Sequence, residues 1–177
     1  MMKKFFVTMC AVLLSMSAFA GNPLSVENSK VNLKDFLKKD AVACLVIDWK
    51  GAKYDNKKAA EEELGSDYDF VKKDCAEKFI EGFNDKSKGL KLQGDESGAA
   101  YRFEIKVTNL DTFVNVMGFG ARTEAKMWGT LKIVDAASGD TLAEIKIDEA
   151  EDGTDYVRRE AYGKTFLLLG ARIAKMK

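Results

Sequence analysis

The stretch YRFEIKVT, Tyr101–Thr108, decides the fold. Tyr101, Phe103, Ile105 and Val107 alternate with Arg102, Glu104, Lys106 and Thr108. Such a period of two means a β-strand with one face buried and the other in water. Two further stretches repeat the pattern. Ala125, Met127, Leu131 and Ile133 share a parity, with Lys126, Thr130 and Lys132 between them. Ala143, Ile145 and Ile147 alternate with Glu144 and Lys146. The turn Asp135–Asp140, with Gly139, joins the second strand to the third as a hairpin. The first strand is expected to continue to Met117 before its own hairpin. Three adjacent strands with one apolar face need a cover, and the chain offers two amphipathic helices.

The first helix is expected from Ser66 to about Asp85. Ser66-Asp67-Tyr68-Asp69 has the form of a capping box. Val71, Cys75, Phe79 and Phe83 repeat every four residues opposite Lys72, Lys73, Glu77, Lys78 and Glu81, as on a surface helix laid on a sheet. The second helix is expected from a cap at Thr154 or Asp155 almost to Lys177. Its stripe would run through Val157, Ala161, Leu168 and Ala171, widened by Leu167 and Leu169. Before the first helix, Ala41–Trp49 is apolar on both parities, the mark of a central strand. Residues 21–31 are polar and expected to be mobile, and Asn32–Lys39 has room for one or two helical turns. Lys50–Gly65 reads as a mobile polar loop and Asp148–Gly153 as an acidic one. The fold class is therefore α+β: a two-layer sandwich, mostly antiparallel, with two helices on one face and the order β-α-β-β-β-α.

The first twenty residues read as a signal peptide outside the fold. Lys3 and Lys4 precede the apolar run Phe5–Leu14, and Ala18-Phe19-Ala20 is a small-x-small cleavage site. Residues 21–40 then form an N-terminal segment, and residues 41–177 a single domain. Without Lys3 and Lys4 the mature chain has 26 basic and 28 acidic side chains, a net charge of −2. That is no footprint for nucleic acid. No later run reaches membrane-spanning length, so the expected location is the periplasm or the exterior.

Histidine is absent, which removes the commonest general base and zinc ligand. Neither a catalytic set, a metal site nor a cofactor is expected. Cys44 and Cys75 survive processing and are a candidate disulfide, with two buried free thiols as the alternative. Asp148, Glu149, Glu151 and Asp152 lack the spacing of a calcium loop. Gly118-Phe119-Gly120 precedes no helix, as a phosphate cradle would require. Asp48 ends a strand with no identifiable nucleophile or base partner. The open face of the sheet is the remaining candidate. Trp128 points to it by parity, together with Arg102, Glu104, Lys106, Lys126, Lys132, Glu144 and Lys146. A large aromatic among charges suits a contact hot spot or a sugar ring. The bland alternative is a tryptophan lying across lysine stems beside cross-strand ion pairs.

Short phrases carry a family resemblance. They are Phe36-Leu37-Lys38, Val46-Ile47-Asp48-Trp49, Phe79-Ile80-Glu81-Gly82-Phe83-Asn84, Tyr101-Arg102-Phe103, Ala125-Lys126-Met127-Trp128 and Glu160-Ala161-Tyr162-Gly163-Lys164. With them the chain resembles a group of secreted envelope proteins of Bacteroidetes-type bacteria that has no assigned activity. The topology also looks like the α+β domains of periplasmic assembly lipoproteins. The expected function is a non-enzymatic envelope protein, a binding or assembly module acting through its sheet face. Its partner would be an envelope protein or a surface glycan. A carboxylate-based hydrolase acting on glycans, or a carrier of a small apolar ligand, are the alternatives.

Overall fold

The computed structural model describes residues 23–117, 120–155 and 157–176. The expected signal peptide and Phe119 lie outside the described residues. The chain forms β1 (Leu24–Ser29), α1 (Leu33–Phe36), β2 (Val42–Asp48), β3 (Lys53–Tyr54), β4 (Lys58–Ala59) and α2 (Ala60–Leu64). It continues as α3 (Tyr68–Lys86), β5 (Lys91–Gln93), β6 (Tyr101–Met117), β7 (Gly120–Asp135), β8 (Thr141–Asp155) and α4 (Arg158–Ile173). One mixed sheet has the order β1-β8-β7-β6-β2-β5, and the small β3–β4 hairpin adds to β6. β1, β8, β7 and β6 pair antiparallel with one another, whereas β2 is parallel to both β6 and β5 and β3 is parallel to β6. Parallel pairing needs a crossover, and α3 supplies it between β2 and β5. The expected two-layer α+β sandwich is what forms, with short elements added to the expected order.

The alternation at Tyr101–Thr108 does what its period requires. Phe103, Ile105 and Val107 are buried, as are Met127, Leu131 and Ile133 on β7 and Ile145 and Ile147 on β8. Val71, Cys75, Phe79 and Phe83 of α3 meet this face with no exposed area. Phe83 stands edge-on to Phe103 at 5.5 Å between ring centres. Tyr162, Phe166, Leu169 and Ile173 complete the core from α4, and Trp49 stacks on Phe166 at 5.9 Å.

Several boundaries differ from expectation. Residues 24–29 form an edge strand paired with β8, although Leu24 is the only buried residue in it. One anchor leaves no period to read. Lys50–Gly65 is also structured, because Ala60 and Leu64 pin α2 to the core. The capping box does not form. Gly65–Asp67 is a 3₁₀ turn leading into α3, and the cap position makes no side-chain hydrogen bond. The acidic stretch is strand, since β8 runs to Asp155 with Ala150 buried opposite Met127. Hence α4 is capped at Val157 by neither Thr154 nor Asp155.

The stripe of α4 is rotated from the expected one. Val157 is 42% exposed, while Gly163 and Gly170 are buried. Gly170, with Gly82 on α3, lets the two helices approach backbone to backbone, while Gly163 makes room for the Asp74 carboxylate. A β-carbon on Gly170 would lie 2.3 Å from the Phe79 carbonyl oxygen.

Cys44 and Cys75 are buried free thiols. Cys44 pairs in register with Arg102, so its side chain shares the open face. Cys75 comes from α3 on the opposite face, and the sheet separates the two. Burial raises the proton affinity of both thiols. Titration of the unreduced chain without its expected signal peptide, and so without Cys10, should therefore give two thiols after unfolding and only slow reaction before it. Finding none in the unfolded chain would mean a bridge.

Candidate functional site

The open sheet face carries Arg102, Glu104, Lys106, Thr130, Lys132, Glu144 and Lys146. Its surface is not flat, for a reason that lies in the ladders. The β6–β7 register shifts between Val107 and Asn109, so that Trp128 pairs with Asn109. The β7–β8 register shifts between Met127 and Gly129, leaving Trp128 with no opposite residue on β8. Bulges of this kind bend strands and re-aim side chains. Backbones also close in beside the tryptophan: a β-carbon on Gly129 would lie 2.2 Å from the Lys106 carbonyl oxygen. Trp128 is consequently half-buried in the floor of a depression instead of standing free.

This depression has a volume of about 520 Å³. Thr108 and Asn109 come from the bulge of β6, and Trp128, Gly129 and Thr130 from β7. Lys146 and Ile147 come from β8, Glu27 from β1 and Asn56 from the β3–β4 turn. The Asn56 amide donates to Asn109 Oδ1 at 2.9 Å, which ties the turn to the rim. Lys146 Nζ lies 2.9 Å from Asp148 Oδ2, a hydrogen bond that raises the proton affinity of the ammonium. The rim thus offers a cation, a carboxylate, two hydroxyls and two carboxamides around one indole ring.

A second depression of about 320 Å³ adjoins the first through Thr130. It is lined by Val46, Asp48, Glu104, Ile105, Lys106, Lys132 and Glu144. Its carboxylates are engaged. Glu104 accepts from Arg102 Nε at 2.9 Å, Glu144 lies 3.8 Å from Lys132 Nζ, and Asp48 accepts the Lys50 amide at 2.8 Å.

The residues singled out by parity therefore divide. Trp128 and Lys146 shape the larger depression, while Glu104, Lys106, Lys132 and Glu144 shape the smaller. Arg102 pairs with Glu104 along the same strand instead of across strands. Lys126 pairs with Glu149 of β8 and lines neither hollow. Sequence reasoning missed Glu27, Asn56, Thr108 and Asn109. Asn109 is the one with a signal, a polar residue 6% exposed between Val107 and Leu110. Only the bulge explains it, and nothing in the alternation announces a bulge.

Asp74 has its proton affinity raised chiefly by burial, but it lies against Gly163 between α3 and α4, away from both depressions. Among the described residues no group of three or more histidine, cysteine, aspartate or glutamate side chains could hold a metal ion. No described helix is long and apolar enough to cross a membrane.

No protein-family model matches the chain, and the search of curated proteins found no match. Among solved structures, the chain is similar to a PelC dodecamer from Paraburkholderia phytofirmans. The identity is 12%, the TM-score is 0.43, and the match covers 85% of this chain and 94% of that one. It is also similar to a protein described as a neuraminyllactose-binding hemagglutinin homolog from Helicobacter pylori. There the identity is 12%, the TM-score is 0.40, and coverage is 85% of this chain and 87% of that one.

Proposed function

We propose that this chain is an exported, non-enzymatic binding module of the cell envelope, related to the Bacteroidetes-type group it resembles. Its ligand is a surface glycan held in the Trp128 depression. The observation that carries this reading is the indole ring set in a hollow of about 520 Å³ with a polar rim. That size is ordinary for a ligand site and holds a few sugar rings. The C–H face of a pyranose lies against the electron-rich face of an indole. Glu27, Lys146, Thr108, Thr130 and Asn56 would meet its hydroxyls as acceptors and donors. A protein partner would instead favour a broad contact of roughly 800 Å² on each side.

The carboxylates of the smaller depression are engaged by Arg102, Lys132 and the Lys50 amide, which speaks for binding over hydrolysis, because a general acid must be free to reach the substrate. Both depressions open to solvent, which speaks against an enclosed apolar carrier.

The test uses glycans released from envelope polysaccharide, titrated against the full chain and followed by tryptophan fluorescence. Trp49 is the other tryptophan, and it is buried at 6% exposure. Trp128→Ala should leave the melting temperature nearly unchanged and weaken glycan binding at least tenfold, the effect of a hot-spot aromatic. Trp128→Phe should retain part of the affinity. Undiminished glycan binding by Trp128→Ala, or Trp128-dependent capture of an envelope protein with no glycan bound, would overturn the assignment.

A further inference from the structure

We propose a second ligand site at the ends of the two long helices, which takes a phosphate ester. It is a depression of about 340 Å³ with an apolar floor of Leu37, Ala174 and Met176. Five lysines surround that floor: Lys34, Lys38, Lys86, Lys88 and Lys175. They come from α1 and its exit, from the end of α3 and the turn after it, and from the end of α4.

The concentration of charge is the first argument. The whole chain is neutral, with 28 basic and 28 acidic side chains. At this site only two aspartates answer five lysines. Lys38 lies 4.0 Å from Asp35, and Lys86 lies 2.5 Å from Asp85. Among the described residues Lys34, Lys88 and Lys175 make no ion pair, so a net charge of +3 is left. The field is felt locally: the hydrogen bond and charge of Lys86, and then the charge of Lys175, hold the Asp85 carboxyl below its usual range. Helix C-termini attract cations, and α3 and α4 both end here. That effect fades within the last turn, so it accounts for Lys86 and Lys175 but not for Lys34, Lys38 and Lys88.

Rigidity is the second argument. The Leu90 amide donates to the Leu37 carbonyl at 3.2 Å, and the Ser87 hydroxyl donates to the Leu90 carbonyl at 2.5 Å. Gly89 lies so near that a β-carbon would fall 2.2 Å from the Lys38 carbonyl oxygen. These contacts hold the α1 and α3 sides of the hollow in place before any ligand arrives. Ammonium groups serve phosphate as point charges, and the apolar floor suits the carbon skeleton of an ester over a bare anion. The same chemistry is offered by a phospholipid headgroup and by a soluble phosphate ester. No residue of this hollow belongs to the open sheet face, so it stands independently of the glycan reading.

The experiment titrates the full chain with inorganic pyrophosphate by calorimetry. In parallel, the chain is co-sedimented with phosphatidylglycerol vesicles, against phosphatidylcholine vesicles, at low salt. One variant carries Lys34→Gln, Lys88→Gln and Lys175→Gln. A control carries Lys53→Gln, Lys57→Gln and Lys73→Gln, which remove the same charge elsewhere on the surface. We expect the first variant to lose at least tenfold in affinity and the control less than twofold. Pyrophosphate binding without vesicle binding assigns the site to soluble phosphates. Vesicle binding that pyrophosphate displaces assigns it to a headgroup. Equal losses in the two variants, or binding of neither probe, would overturn the proposal.

Discussion

Gly82→Ala should destabilise the protein by about 3 kcal/mol or more, as overpacking does when no neighbour can give way. A β-carbon at Gly82 would lie 1.9 Å from the Leu167 carbonyl oxygen and 2.8 Å from its carbon. Both are backbone atoms of a neighbouring helix, so relief requires moving α4 as a body. In an exposed helix the same change would stabilise by about 1 kcal/mol, because alanine is the better helix former. Packing and propensity therefore predict opposite signs, and urea denaturation distinguishes them. Gly94→Ala is the control: its nearest neighbour would be Ile80 Cδ1 at 3.9 Å. A Gly82→Ala variant as stable as the parent would mean that the helices are not in backbone contact.

Phe103→Ala should cost about 3–5 kcal/mol, the range for deleting a fully buried phenylalanine. Its ring has no exposed area and meets the edge of Phe83 at 75° between planes. The pair joins the central strand to the helix above it, so the cavity would open at the middle of both layers. A double-mutant cycle with Phe83→Leu should return a coupling of about 0.5–1.5 kcal/mol for the aromatic geometry. Additive losses would place the two rings out of contact. Since a domain is held by roughly 5–15 kcal/mol, either substitution leaves little margin at physiological temperature.

The parts legible in the sequence are those where one face is dry and the other wet. Alternation along β6, β7 and β8 and the four-residue repeat along α3 fixed which side chains meet in the core. Burial of Phe103, Met127, Leu131 and Phe79 follows from period alone. The register of α4 is not legible, because Gly163 and Gly170 among its contact positions carry no hydrophobic signal. Nor is β1, which a single leucine anchors. The side from which Trp128 emerges was legible by parity. Its depth was not, since it depends on two register shifts and on Asn56, a residue from a turn more than fifty positions before Asn109 in the chain. Ladder irregularities arise from pairings between distant segments, which local patterning does not encode.

The pairing of β1 with β8 has a consequence for the order in which the fold completes. Leu24 is opposite Ile147 and Ser29 opposite Ala143, so the first described strand made waits for the last. A chain emerging from its N-terminus carries β1 unpaired through the appearance of more than a hundred residues. Closing so distant a pair is slow, because the loop entropy must be overcome before the contact rewards it. β1 supplies Glu27 to the rim of the Trp128 hollow. The rim of that hollow is therefore complete only once β8 is in place, because Glu27 of β1 lines it together with Lys146 and Ile147 of β8.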